Sequence, residues 1–175
     1  MTLVVETGAR VTGANTFINV TDADTYFSDR GMTDWTGTDA AKEAALIRAG
    51  QYLNCLNWRG YRITYRQAMC WPRYNVPIDD VGLPESYDIN EGYYWPSNEI
   101  PPAILQAQCE VALRFLVGTD LLPDLERGGA IVMEKVDVLT TQYSAGAPAG
   151  TIFQIVKALL RPFLLPAGGL EMVRG

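Results

Sequence analysis

The sequence predicts a mainly α fold: a small helical bundle of about four helices with an extended β strand or hairpin arm and long loops. Two observations support this. Apolar residues recur at three- and four-residue steps over residues 39–56 and 102–117, which places them on one face of an α-helix. Residues 130–143 are instead rich in β-branched side chains and lie between glycine-containing stretches, as in a strand or hairpin.

The composition is that of one globular domain. Of 175 residues, 48% are hydrophobic and 19% are charged, which is sufficient for a core and atypical of disorder. No apolar run approaches the roughly eighteen residues of a membrane span, and the N-terminus lacks the basic and apolar regions of a signal peptide. We therefore expect a soluble protein, made in a reducing cytosol and without a membrane partner.

The residue types present argue against catalysis. The sequence has no histidine, the usual general base at neutral pH and the commonest metal ligand, and no glycine motif that would cradle phosphate. Its three cysteines, Cys55, Cys70 and Cys109, are odd in number and far apart, which indicates buried reduced thiols. We expect no enzymatic activity, no catalytic residues, no metal site and no cofactor.

The N-terminal half is predicted to contain an arm and three helices. Residues 1–20 alternate apolar and small polar residues, which indicates an extended arm whose order depends on a partner surface. Thr21 opens a near capping box for a short helix to about Asp29. A stronger helix begins at Thr38 or Asp39, and residues 65–71 are expected to form a short helix that ends before Pro72.

The C-terminal half is predicted to contain the central helix. It begins at the Pro101 and Pro102 pair and runs to Val117, with a polar ridge in which Glu110 and Arg114 form a surface pair. A last helix covers residues 151–160. The predicted helical domain is residues 21–163, including the acidic loop at 74–100 and the β arm at 130–143, and residues 164–175 form a C-terminal tail.

Residues 58–73, with the sequence WRGYRITYRQAMCWPR, place four arginines among two tryptophans and two tyrosines. Interleaved basic and aromatic residues are typical of single-strand binding, but the net charge of −6 opposes contact with a phosphate backbone. The loop at 74–100 carries six acidic residues and no basic ones. Three partners remain open for the arginines: this loop through Asp79, Asp80 or Glu85, an acidic neighbouring subunit, or nucleic acid. We expect Trp58 and Trp71 to anchor a core or an interface.

Several motifs together resemble a known family. They are ALIRAGQYLN, WRG, QAMCWPR, IPPAILQAQCEVALRFL and VMEKVDVL. The chain resembles, over roughly residues 15–165, the head-to-tail adaptor (connector) proteins of tailed bacteriophages, a family often labelled DnaT-like single-stranded-DNA-binding proteins.

The resemblance implies a structural virion protein. Its partners would be further copies of itself in a homo-oligomeric ring, usually a dodecamer, then the portal protein and the tail or next neck protein. Duplex DNA would pass through this ring in the virion neck without sequence-specific binding. A basic channel wall would hold the DNA, because each phosphate that it neutralises adds affinity. An acidic wall lets the DNA slide. The alternative function is a single-stranded-DNA-binding replication accessory protein that uses residues 58–73.

Three groups of residues are candidates for a subunit or portal interface: the arginine-rich block at 58–73, the strand at 130–143 and the C-terminal tail. The strand at 130–143 forms either an internal hairpin or an addition to a neighbour's strand, and the apolar tail from Phe163 is expected to contact the portal or an adjacent subunit. The candidate residues are Arg59, Arg62, Arg66, Trp71, Arg73, Met133, Val136, Val138, Phe163, Leu164 and Leu165.

Overall fold

The computed structural model describes residues 2–78, 93–119, 133–136, 139–142 and 153–165. These residues form four α-helices and two small antiparallel hairpins. The helices are α1 (Val20–Ser28), α2 (Asp39–Asn54), α3 (Pro102–Leu116) and α4 (Gln154–Leu160), and a 3-10 helix follows at Arg161–Phe163. The hairpins pair β1 (Tyr61–Arg62) with β2 (Arg73–Tyr74), and β3 (Met133–Val136) with β4 (Leu139–Gln142). The predicted mainly α fold with a β hairpin is confirmed.

Helix α3 is the centre of the fold, and it packs on both α2 and α4. The expected polar ridge on this helix is wrong at Glu110, which is only 3% exposed. Tyr26 of α1 donates a hydrogen bond to Glu110 Oε1 at 3.0 Å, and Arg114 contacts Oε2 at 3.1 Å. The Glu110–Arg114 pair is therefore a partly buried contact in which the buried carboxylate gains a second partner from another helix, since a buried charge must be paired.

Small residues let α2 approach its neighbours closely. Ala49 is buried, and a side chain at Gly50 would place its Cβ 2.5 Å from the carbonyl oxygen of Asn15. Gln108 of α3 connects this region because its amide donates to the Leu46 carbonyl at 2.8 Å and its oxygen accepts from the Phe17 amide at 2.8 Å. One buried glutamine thus joins α2, α3 and the N-terminal segment.

The N-terminal segment lacks helix up to α1 but folds against its own chain. Glu6 is buried, and its carboxylate accepts hydrogen bonds from the backbone amides of Gly8, Arg10 and Val11 at 2.9, 2.8 and 2.8 Å. A Cβ at Gly8 would lie 2.0 Å from the Asn98 carbonyl oxygen. These intrachain contacts order the segment without the partner surface that the sequence suggested.

Two of the predicted helix starts differ in outcome. Helix α2 begins at Asp39, as predicted, and Thr38 caps it. Helix α1 is capped by Asn19 and not by Thr21, because the Asn19 side chain accepts from the Asp22 amide at 2.8 Å and donates to the Asp22 carboxylate at 2.8 Å. The expected short helix over residues 65–71 is wrong, since this stretch consists of turns and bends.

Other predictions fall partly outside the described residues. Within the predicted arm at 130–143, residues 133–136 and 139–142 form a hairpin, with Met133 paired to Gln142 and Val136 paired to Leu139, but Val138 lies outside the described residues. So do Asp79, Asp80 and Glu85 of the acidic loop, and residues 166–175 of the tail. The last helix begins at Gln154 and ends at Leu160.

A charged contact joins α1 to α2. Asp24 accepts hydrogen bonds from Lys42 Nζ at 2.8 Å and from Trp35 Nε1 at 2.7 Å. Trp35 in turn stacks on Phe27 with ring centroids 4.7 Å apart. Partial burial opposes ionisation of Asp24, but its hydrogen bonds from Lys42 and Trp35 and the charge of Lys42 outweigh burial and lower the pKa of this carboxyl.

This contact predicts a pH-dependent contribution to stability. Because the pKa of Asp24 is lower in the folded chain, its stabilisation is complete above the ordinary carboxyl pKa of about 4 and is lost as the pH falls through the lowered value. Asp24→Asn should therefore destabilise the protein at neutral pH by more than it does near pH 3. Urea unfolding at both pH values measures this, with the exposed Asp34→Asn as the control; equal destabilisation by Asp24→Asn at both pH values would contradict it.

Candidate nucleic-acid interface

The two tryptophans of residues 58–73 belong to the core. Trp58 is 5% exposed, and its Nε1 donates to the Leu53 carbonyl at 2.8 Å, while Trp71 is completely buried. Trp71 packs edge to face against Trp58 and against Phe163, with centroids 6.0 and 5.8 Å apart. These edge-to-face contacts are typical of aromatic packing in a core, so neither indole offers a surface for a base.

Arg73 is buried as well, at 9% exposure. Its guanidinium donates to three backbone carbonyls: Nε to Arg59 at 2.8 Å, Nη2 to Gly60 at 2.7 Å and Nη1 to Cys70 at 3.2 Å. Burial lowers the pKa of Arg73, and the charge of Arg62 acts in the same direction. The Arg73 side chain is therefore a bridge between two backbone segments, which we call the arginine clasp.

Gly60 allows the clasp to close. Its φ is +65°, and a Cβ there would lie 2.4 Å from the Tyr74 carbonyl oxygen and 2.6 Å from a methyl group of Val76. Other residue types rarely adopt this φ, and here they would also collide with backbone. The WRG motif thus combines a core tryptophan with a carbonyl acceptor and a required glycine.

Gln67 folds the stretch that the sequence predicts as a helix. Its side-chain amide donates to the carbonyls of Met69 at 2.9 Å and Pro72 at 2.8 Å, and its oxygen accepts from the Ile63 amide at 3.3 Å. A side chain that bonds to nearby backbone competes with helix formation. Cys70 is held in the same way, since its amide donates to Asn54 Oδ1 at 2.6 Å.

The exposed side chains of the hairpin form a different set. Tyr61, Tyr65 and Tyr74 are 59%, 86% and 48% exposed, and Arg62 and Arg66 are also exposed. The Tyr61 and Tyr74 rings lie 5.4 Å apart between centroids, and the Arg66 guanidinium lies 5.3 Å from the Tyr65 ring. Within the described part of the chain, Arg62 and Arg66 contact no carboxylate. In the β1–β2 ladder Arg62 is opposite Arg73, on the other face of the strand from Tyr61 and Tyr74, and its Nη1 donates to the Gln67 carbonyl at 3.3 Å. We call these five exposed residues together the tyrosine–arginine surface.

Sequence reasoning missed Tyr74 because it lies just beyond the arginine-rich block. The order Tyr-Arg at residues 61–62 is reversed to Arg-Tyr at residues 73–74. In an antiparallel ladder this mirrored order pairs tyrosine with tyrosine and arginine with arginine, which is the observed register. The mirrored dipeptides are therefore a sequence signal for the pair.

The predicted interface residues of the C-terminal segment contact residues 57–59, at the start of the arginine-rich block. Phe163 is 5% exposed and its carbonyl accepts from the Arg59 amide at 2.8 Å. The Leu165 amide donates to the Asn57 carbonyl at 2.9 Å, and Leu164 forms an isolated bridge with Trp58. Up to Leu165, the expected arm is therefore docked on its own chain.

Other candidate chemistry is sparse in the described residues. Burial raises the pKa of both Cys70 and Cys109 to about 12, whereas Cys55 is exposed, so the prediction of three buried thiols is wrong for Cys55. Across the described ranges, histidine, cysteine, aspartate and glutamate form no cluster suited to a metal. None of the helices described is both long and apolar enough to span a membrane.

The clasp predicts that replacing Gly60 destabilises the protein more than replacing another glycine with positive φ. Gly60→Ala should lower the free energy of unfolding by about 2 kcal/mol or more, because strain at positive φ adds to the collision with backbone. Gly118→Ala is the matched control, since Gly118 has a φ of +85° with nothing within 4 Å of its added Cβ, and it should cost only about 1 kcal/mol. If urea unfolding gave the same loss of unfolding free energy for both variants, the close contact of Gly60 with the Tyr74 carbonyl would be contradicted.

The geometry can be compared with known proteins. The chain matches no curated protein and no solved structure. A family model described as "Putative DnaT-like ssDNA binding protein" matches residues 1–175, the whole chain. This agrees with the family label to which the WRG and QAMCWPR motifs pointed, and both motifs are accounted for by the clasp. The chain belongs to this DnaT-like single-stranded-DNA-binding protein family.

Proposed function

We propose that the protein binds single-stranded DNA through the tyrosine–arginine surface. The observation that carries the proposal is the separation within one hairpin: its tryptophans and Arg73 are buried, while three tyrosines and two arginines face solvent. Exposed rings accept unpaired bases, and exposed guanidinium groups contact phosphate. The family description supports the same substrate.

The charge distribution favours a single strand over a duplex. The net charge of −6 repels a dense phosphate array, and the hairpin exposes only two arginines on the tyrosine–arginine surface. Bases of a duplex are paired and stacked, so the tyrosine rings could not reach their faces. A flexible single strand can place bases on the rings and limit its phosphate contacts to Arg62 and Arg66.

This proposal predicts a shallow salt dependence. Two phosphate contacts at roughly 0.7 each give a slope of about −1.4 for the logarithm of the binding constant against the logarithm of salt concentration. Replacing both arginines, Arg62→Glu with Arg66→Glu, should reduce affinity at least tenfold, about 1.4 kcal/mol, and flatten the slope. Fluorescence anisotropy with labelled oligothymidylate measures both quantities.

The matched control for the single change Arg62→Glu is Arg161→Glu, which makes the same change of charge at an exposed position on the 3-10 helix. It alters charge in the same direction without touching the proposed surface. A control that weakens binding as much as Arg62→Glu would indicate a general field effect. Unchanged affinity in the Arg62 and Arg66 variant would overturn the role of these arginines.

A second candidate function is the ring-forming head-to-tail adaptor. It is supported by the resemblance of the motifs and by the exposure of Arg62 and Arg66, which contact no carboxylate within the described residues. Their partners would then be acidic residues of a neighbouring subunit or of the portal protein, and the ring would surround duplex DNA in the virion neck. The net charge of −6 suits such a channel. Neither candidate involves catalysis, and we propose none.

The adaptor function predicts assembly in place of DNA binding. Wild-type protein should bind portal assemblies or form rings visible by mass photometry, and the Arg62→Glu, Arg66→Glu variant should lose this association while keeping its fold. Oligonucleotide affinity should then be weak in both proteins. Tight oligonucleotide binding without association with portal would contradict the adaptor function and favour the first proposal.

A further inference from the structure

We infer that the Tyr61–Tyr74 pair is a stacking platform for an unpaired base, so that the site recognises base faces in addition to phosphate. This inference rests on the proposed single-strand binding and names the chemistry of that site. The two rings are 59% and 48% exposed, with centroids 5.4 Å apart and planes tilted by 36°. Together they form an aromatic surface larger than either ring alone.

The spacing of the rings determines where a base can bind. A base held between two rings would need a separation of about 7 Å, twice the 3.4 Å spacing of stacked bases. The observed 5.4 Å is too short for this arrangement. A base therefore stacks on the solvent side of the pair.

The platform is held in place from below. Tyr61 and Tyr74 are directly opposite each other in the β1–β2 ladder, and the arginine clasp joins the two strands through the carbonyls of Arg59 and Gly60. The tight approach of Gly60 to the Tyr74 carbonyl further limits movement of the two strands. Because the rings are already paired, stacking a base requires little additional ordering of these side chains.

The platform is also uncharged. Successive side chains of a strand point to opposite faces, and in β2 the Arg73 side chain is buried while Tyr74 is exposed. Binding to the rings therefore depends on aromatic stacking, which is tolerant of base identity. Two expectations follow. Binding requires the aromatic ring of each tyrosine but not its hydroxyl. Removing the bases of an oligonucleotide should weaken binding even when every phosphate is kept.

The experiment compares a short oligothymidylate with an abasic oligomer of the same length and charge. Wild-type protein should prefer the oligothymidylate by at least about fivefold, the lower end of the effect of one stacked base. The variant Tyr61→Phe, Tyr74→Phe should keep this preference, and Tyr61→Leu, Tyr74→Leu should lose it. Tyr94→Leu is the control, since Tyr94 is 49% exposed and lies outside the hairpin.

The outcomes separate the inference from the proposed function. Equal binding of both oligomers by wild-type protein would overturn the platform and leave single-strand binding intact. Binding of neither oligomer would overturn both. If circular dichroism shows that the leucine variant is unfolded, the wild-type preference and its retention in the phenylalanine variant decide the question; a phenylalanine variant that is folded but shows no preference would also overturn the platform.

Discussion

The hairpin depends on one buried cation, the Arg73 guanidinium, and on the carbonyls that surround it. A charged group taken out of water is costly unless its donors are satisfied. Here the planar fork reaches the carbonyls of Arg59, Gly60 and Cys70, an arrangement that the single ammonium group of lysine could not reproduce. The clasp brings residues 59–60 to residues 70–73, and so positions Trp71 in the core and Tyr74 at the surface.

This arrangement divides the arginines and aromatic residues of 58–73 into a buried set that supports the fold and an exposed set that is available to a ligand. Of the four arginines in residues 58–73, Arg73 supports the fold and Arg62 and Arg66 are exposed. The aromatic residues divide in the same way, since both tryptophans pack inside and the tyrosines remain outside. Basic and aromatic content alone therefore overstates the charge available to a ligand. The WRG and QAMCWPR motifs contain the residues of the clasp, so they account for the fold of this region without indicating where a ligand binds.

Local patterns in the sequence were sufficient for the main helices and insufficient where side-chain hydrogen bonds, to near or distant residues, decide the structure. Periodicity predicts α2 because the spacing of its apolar residues is a property of the helix itself. The helix expected at residues 65–71 fails because the Gln67 side chain bonds to backbone of its own loop. The position of Glu110 could not be predicted, since its partner Tyr26 is 84 residues away in the chain. Only the mirrored Tyr-Arg and Arg-Tyr dipeptides offered a signal for the exposed ring pair.

The balance between stacking and charge determines which ligand suits this surface. The chain carries −6 overall, so two exposed arginines provide only a local positive potential within a repulsive field, and that field acts over roughly 8 Å at physiological salt. Stacking is short-ranged and insensitive to this field, so it can hold a base once an oligonucleotide is in contact. A protein partner with carboxylates would instead use the arginines and leave the rings as apolar contact area. The dependence of binding on the Tyr61–Tyr74 rings, relative to its dependence on Arg62 and Arg66, therefore distinguishes a nucleic-acid ligand from a protein one.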